Sequence, residues 1–359
     1  MKVKYFTPGE TYAKIKDEVD EKLQKTLLNG DLVLRKDVED FEKNLAKFIG
    51  TEYAVGLNSG TDALKLSLLV AEVGPLDEVI TVSNTFKATI TAIRDVGATP
   101  VLVDIGEDWL MDMEKVKKAI TSKTKAIIPV HLSGDICDMP KLDHILKSMG
   151  REDIIVIEDA CQAIGSAIGG KKAGSFGLTG CWSFYPAKIL GSFGDGGAIT
   201  TNDENIYKTV KNWRNHCKDT PGGDGCNSRL DNIQAVVLNI KLKYLEEYLN
   251  KRREIAEFYL EELKSQPIIL PDYSNKERVW QDFIIRTDRR EELYKFLNKN
   301  GIETMITPVL PHIELGIGGY LPRSEQYNEE FIRIPCHPDM TLEQAKYVAD
   351  KVKEFFEDK

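Results

Sequence analysis

The chain has 359 residues, 42% hydrophobic and 29% charged, with 48 Lys and Arg against 57 Asp and Glu for a net charge of −9. That length exceeds a single compact core and fits two domains, or a large domain with a smaller one appended. The acidic balance argues against a general nucleic-acid or membrane-surface binder. No apolar run of about eighteen residues and no signal-peptide core is present, so a cytoplasmic protein is expected.

Residues 10–50 carry apolar positions at helical spacing and read as two helices, 13–28 and 36–48, broken at Asn29-Gly30. YAVGLNSGTDALKLSLLVA follows as a strand, a small-residue turn and a helix. Such a turn is an anion site, because free N–H groups and the helix dipole both face it. It is equally a plain cap in which Ser59 or Thr61 serves the helix alone. From there strands and helices alternate: EVITVS, a helix over 87–96, TPVLVDI, a helix over 113–120, KAIIPVHL, a helix over 140–148, then DIIVIEDA, TGCWSFYP and GGAITT. Continuous apolar runs suit strands covered on both faces, so the fold class is α/β with a mostly parallel sheet and ligand chemistry at its carboxyl ends. A long helix over 233–263 leaves this sheet. WQDFIIRT, RREELYKFLNKNGI and LEQAKYVADKVKEFF then read as a smaller C-terminal α+β domain, giving domains 1–250 and 251–359, with a loop over 304–332. The six cysteines are scattered, with no CxxC pair and no zinc-site spacing, which indicates neither a metal site nor a disulfide framework.

The stretch GCWSFYPAKILGSFGDGGA, residues 180–198, places Lys188 between an apolar strand and a glycine-rich turn. Lysine forms Schiff bases with aldehyde cofactors, and partial burial lowers its pKa toward the nucleophilic amine. The plainer alternative is a snorkelling surface lysine. Four features fall at strand ends of one sheet: the Ser59-Gly60-Thr61 turn, Phe86, the Glu158-Asp159 pair and Lys188. A lysine for the aldehyde, an acid for the ring nitrogen and a cradle for the phosphate are what pyridoxal phosphate (PLP) requires. Against this, Asp159 alone reads as a solvated strand-end acid. GDGG, residues 194–197, lacks a following lysine-serine and reads as a tight turn beneath the cofactor rather than a nucleotide loop. His131, His216 and His312 read as structural or substrate-rim residues, and Trp182 and Trp213 as core.

NSGTDAL, IEDACQAIGS, SFYPAKILGSFGDGGA and NSRLDNIQA, in that order, resemble the signature blocks of the DegT/StrS-type nucleotide-sugar aminotransferases, PLP enzymes of the aspartate aminotransferase fold (fold type I). The resemblance runs over essentially the whole chain. It implies that Lys188 carries the cofactor and moves the proton in the 1,3-shift, that Asp159 pairs with the ring nitrogen, and that Gln162 bonds the phenolic oxygen. It implies further that Phe86 stacks on the ring with Cys161 near the other face, and that Gly60, Thr61 and Ser183 hold the phosphate. Asn227 would reach the partner's phosphate in a homodimer with shared sites. Two positions depart from the family pattern: Cys161 stands where alanine is common, and HLSG, with Ser133, where many relatives have HLYG. The expected reaction takes an amino group from glutamate, through pyridoxamine phosphate, to a keto group of a nucleotide-linked deoxyhexose, for amino-sugar and polysaccharide biosynthesis. The alternatives are a dehydratase or deoxygenase of the same family, in which histidine typically replaces the lysine, a non-catalytic PLP-binding regulator, and a plain binding module.

Overall fold

The computed structural model describes residues 1–220, 222–307 and 310–357, apart from the side chain of Pro311. Pro221, Pro308, Val309, Asp358 and Lys359 lie outside the described residues, so small parts of the 216–226 and 304–332 loops and the end of the 251–359 segment are not covered. In chain order the elements are α1 (Pro8–Asn29), α2 (Lys36–Ile49), β1 (Tyr53–Leu57), α3 (Gly60–Val70), β2 (Glu78–Val82), α4 (Ala88–Asp95), β3 (Thr99–Val103), α5 (Met113–Ala119) and β4 (Thr124–Ile127). They continue as α6 (Met139–Ser148), β5 (Ile155–Asp159), the short hairpin β6 (Ala167–Ile168) and β7 (Lys171–Lys172), β8 (Thr179–Ser183), β9 (Gly197–Thr201), α7 (Glu204–Trp213), α8 (Asn232–Lys243) and α9 (Leu245–Leu263). The remainder is β10 (Phe283–Arg286), α10 (Arg290–Lys299), α11 (Pro311–Glu314), α12 (Pro322–Glu330), β11 (Phe331–Ile334) and α13 (Leu342–Glu357).

The apolar runs pair into one seven-stranded sheet of order β1-β9-β8-β5-β4-β2-β3. The β2–β3, β2–β4, β4–β5 and β5–β8 pairs are parallel, and β9 runs antiparallel to both its neighbours. This is the expected mostly parallel α/β sheet. It brings the carboxyl ends of β1, β2, β4, β5 and β8 to one edge. Helices cover both faces, and fully buried side chains such as Phe41, Leu64 and Trp182 each contribute about 2–3 kcal/mol of apolar burial.

The helix expected over 233–263 is two helices, with Tyr244 (φ −98°, ψ 2°) ending α8 and opening α9. The break has a packing reason. Val236, Val237 and Ile240 of α8 bury against Ile15 and Val19 of α1, whereas Ile255, Ala256 and Tyr259 of α9 enter a second apolar core with Phe283, Ile332 and Val348. One straight helix would not face both layers. Val3 joins that second core through a bridge to Ile302. The 304–332 stretch, read as loop, contains α12, and β11 begins at its end as the antiparallel partner of β10.

Candidate active site

The carboxyl edge of the sheet holds a cleft of about 470 Å³. Gly60, Thr61, Phe86, Asp159, Gln162, Ser183 and Lys188 all line it, together with Ser59 and Cys161. Residues as far apart in sequence as Ser59 and Lys188 meet here because parallel strands deliver their ends side by side.

The anion turn follows β1. Ser59 caps α3 by accepting the Asp62 N–H (3.1 Å), so the capping reading holds, and among the described residues no bond engages the N–H groups of Gly60 and Thr61. Both readings of this turn are therefore compatible, since one N–H is capped and two stay free for an anion. Glycine is required at two points. A Cβ on Gly60 would lie 2.8 Å from the Ser183 Cβ and 2.9 Å from the Cys161 Sγ. A Cβ on Gly197 would lie 2.2 Å from the Ser59 carbonyl carbon, so the GDGG run admits the anion turn itself against β9. Gly197→Ala is accordingly expected to displace the turn and weaken cofactor binding at least tenfold, measured by titrating PLP into the apoprotein.

The two acids ending β5 point to opposite faces, as successive strand residues must. Glu158 is fully buried and accepts the N–H groups of Gly174 (2.8 Å), Phe176 (2.7 Å) and Gly177 (2.7 Å) and the His131 Nε2 (2.9 Å). The carboxylate favours a second proton on that ring, but Nδ1 accepts the Cys137 N–H (3.2 Å) and protonation there would break the bond. Glu158 and His131 thus brace the strand end. Asp159 faces the cleft, yet is only 6% exposed, which overturns the reading of a solvated strand-end acid. Its Oδ2 accepts the Thr89 hydroxyl (2.7 Å) and its Oδ1 the Cys161 N–H (3.3 Å).

Gln162 Oε1 accepts the Ser133 N–H (2.9 Å), which orients the amide and leaves its NH2 free to donate. Ser133, at the departure from the family pattern, adopts left-handed backbone (φ 55°). Phe86, in the turn after β2, is 63% exposed with its ring open to a partner. Burial, with Asp159 beside it, pushes the Cys161 thiol well above its ordinary range while Lys188 opposes, so Cys161 is a neutral packing group and not a nucleophile. Lys188 is half-buried, and among the described residues its amine makes no hydrogen bond or ion pair. Asn227 does not enter the cleft of its own chain. It is exposed and bridges Asn215, while the neighbouring Ser228 hydroxyl donates to Asp62 (2.7 Å) in the first turn of α3. Of the other histidines named from sequence, His216 is exposed, and His312 is buried with its Nδ1 paired to the Ser83 hydroxyl at the foot of the Phe86 turn.

One residue escaped the sequence reading altogether. Gln281 donates through Nε2 to the Ala187 carbonyl (2.9 Å) and accepts through Oε1 from the Ile189 N–H (3.0 Å), clasping the backbone on both sides of Lys188. Its own N–H donates to the Ser133 carbonyl (3.2 Å), which links the supports of Lys188 and Gln162. It lies in WQDF before β10, and no local signal connects it to a lysine 93 residues away. A misplacement of about 1 Å costs a reaction ~100-fold. Gln281→Leu, which keeps the size and loses both bonds, is therefore expected to lower kcat ~10–100-fold with little change in KM for the acceptor, checked by single-turnover kinetics.

The set tests well against PLP. A free amine, a buried oriented carboxylate, a free amide donor, an open aromatic face and two unpaired N–H groups at a helix N-terminus share one cleft. The chain matches the DegT/DnrJ/EryC1/StrS aminotransferase family over residues 13–353. It is 39% identical, over 94% of its length and 95% of the relative's, to dTDP-3-amino-3,6-dideoxy-alpha-D-galactopyranose transaminase of Aneurinibacillus thermoaerophilus. It is 37% identical over 99% of both chains to a pleiotropic regulatory protein of Geobacillus stearothermophilus. Among solved structures it is similar to S. venezuelae DesV in complex with a ketimine intermediate (TM-score 0.95, 37% identity, 99% of both chains). It is also similar to NtdA of Bacillus subtilis with bound cofactor PMP (TM-score 0.91, 30% identity, 99% of this chain and 85% of that one).

Proposed function

The chain belongs to the DegT/DnrJ/EryC1/StrS aminotransferase family, and from that premise we propose that Lys188, Asp159 and Gln162 carry out amino transfer at a PLP held by Gly60, Thr61, Ser183 and Phe86. The protein is a PLP-dependent aminotransferase that moves an amino group to a keto group of a nucleotide-linked sugar. Glutamate is the proposed donor and a deoxyhexose the proposed acceptor, in a cytoplasmic homodimer. The observation that carries the residue assignment is the unpartnered Lys188 amine in one cleft with the buried Asp159 carboxylate and the free Gly60 and Thr61 N–H groups.

When bound, PLP supplies an electron sink for the carbon that bears the amino group. Lys188 would be the residue that holds the group covalently, and its amine would be the base that moves a proton beside it in both half-reactions. Asp159, held by Thr89 and the Cys161 N–H, keeps the proton on the ring nitrogen. Gln162, its amide oriented by the Ser133 N–H, would donate its NH2 to the cofactor's phenolic oxygen, and the exposed Phe86 ring would cover the cofactor and exclude water. The two N–H groups at the start of α3 and the Ser183 hydroxyl take the phosphate. Asn227, exposed in its own chain, reaches the partner's phosphate.

The similarity to a regulatory protein raises the reading of a PLP-binding regulator. The intact Lys188, Asp159 and Gln162 set favours turnover, and Lys188 itself speaks against a dehydratase. The test is to add glutamate to the yellow PLP-loaded protein and follow the visible band. Bleaching, then its return with a keto-sugar nucleotide and an aminated product by mass spectrometry, is the expected result. A band that no amino acid changes would refute this function.

A further inference from the structure

A second cavity, of about 250 Å³, has Lys188 as a wall in common with the cleft. Lys241 and Arg252 line it, 6% and 8% exposed, and among the described residues neither makes an ion pair with an acid. Among the described residues the Lys241 amine donates to the Gly191 carbonyl and lies over the Phe193 ring (6.0 Å to its centroid). Arg252 Nη1 donates to the carbonyls of Trp280 (2.9 Å), Gln281 (3.2 Å) and Cys336 (2.5 Å), and among the described residues Nε is buried without a partner and no bond engages Nη2. The Tyr248 hydroxyl, on the same wall, is also buried without a partner. The acid facing this cavity, Asp339, is already engaged by Lys14 (2.8 Å) and the hydroxyls of Thr7 (2.9 Å) and Thr11 (2.7 Å).

Two buried cations that share a single nearby acid, itself paired to Lys14, leave an excess of positive charge that is costly, and an anion bound between them relieves both. The space takes a small organic acid but no nucleotide. We propose that this cavity binds the distal carboxylate of a dicarboxylic amino donor, between Lys241 Nζ and the Arg252 guanidinium, with the donor's amine toward Lys188. This rests on the reading that glutamate is the donor. The alternative role for Lys241 is a structural staple on Gly191, which the test separates.

The probe is glutarate, which has both carboxylates and no amine, titrated by calorimetry into PLP-loaded protein so that the phosphate cradle is filled. One glutarate per chain is expected, with at least tenfold weaker binding in Lys241→Met at unchanged Tm and visible band. Binding within twofold of wild type in that variant, or none in wild type, overturns the proposal. A measurement on unaltered protein guards against a variant that does not fold. Burial lowers the Lys241 pKa to about 8, with Asp339 opposing and Arg252 reinforcing. Glutarate affinity should therefore fall from pH 7 to pH 9 as Lys241 loses its proton. Of the other groups facing the cavity, Tyr248 is pushed up to about 12, His337 down to about 4, and the Asp339 carboxyl, against its burial, is held below its ordinary value by Lys14 and the Thr11 and Thr7 hydroxyls. An affinity flat across that range also overturns the proposal. If glutarate binds as expected but glutamate leaves the visible band unchanged, the donor reading fails and the cavity stands. If glutamate bleaches the band but glutarate does not bind, the cavity proposal fails and the donor reading stands.

Discussion

Lys188→Ala is expected to abolish amino transfer, lowering kcat by about 10⁴-fold or more, because in the proposed assignment one group supplies both the covalent link and the proton shuttle. The variant should fold normally. Among the described residues the wild-type amine has no bonded partner, so its removal strands no buried polar group, and Tm should stay within about 2 °C of wild type. PLP should still bind, weakly, through the turn at Gly60 and Thr61, without the spectrum of the covalent adduct. Steady-state turnover, calorimetry and an absorbance titration with PLP check the three parts. Turnover at the wild-type rate would refute the assignment of Lys188.

The second large effect is expected at Asp159. Asp159→Asn keeps the shape and can keep a bond to the Thr89 hydroxyl, which is free to donate or accept, but it removes the buried negative charge. In the proposed assignment a neutral amide would no longer hold the proton on the ring nitrogen, and the electron sink would weaken. We expect kcat to fall ~10³-fold, equivalent to about 4 kcal/mol of lost stabilisation. PLP should remain bound, so the loss should appear in single-turnover bleaching by glutamate at saturating donor. A variant within threefold of wild type would show that Asp159 does not act on the ring. Thr89→Val, which removes only the orienting hydroxyl, should give a smaller effect in the same direction.

The two changes differ in what the molecule loses. Lys188 sits uncommitted in its cleft, so its loss is purely chemical. Asp159 is embedded among Thr89 and the Cys161 N–H, so its loss is electrostatic with a small structural component. Gln281, by contrast, touches none of the reacting groups and acts through the backbone on either side of Lys188.

Much of this was readable from the chain because it is local chemistry. A strand, a small-residue turn and a helix give free N–H groups wherever they occur. An acid at a strand end and a lysine before a glycine-rich turn are likewise features of a few consecutive residues, and parallel strands carry such ends to one edge. What the sequence by itself determined, then, was the alternating α/β sheet and the residues Gly60, Thr61, Phe86, Asp159, Gln162, Ser183 and Lys188 that the fold gathers into one cleft. Only the tertiary structure decided how they are held. Glu158 and Asp159 are adjacent acids in sequence, yet strand geometry sends one into a buried hydrogen-bond cage and the other into the cleft. The helix over 233–263 divides at Tyr244 because its two halves bury against different cores. The clasp of Gln281 on Lys188 and the unpaired Lys241 and Arg252 depend on contacts between residues far apart in the chain. No pattern in neighbouring residues encodes such contacts, since hydrogen bonds and ion pairs are set by distance in space.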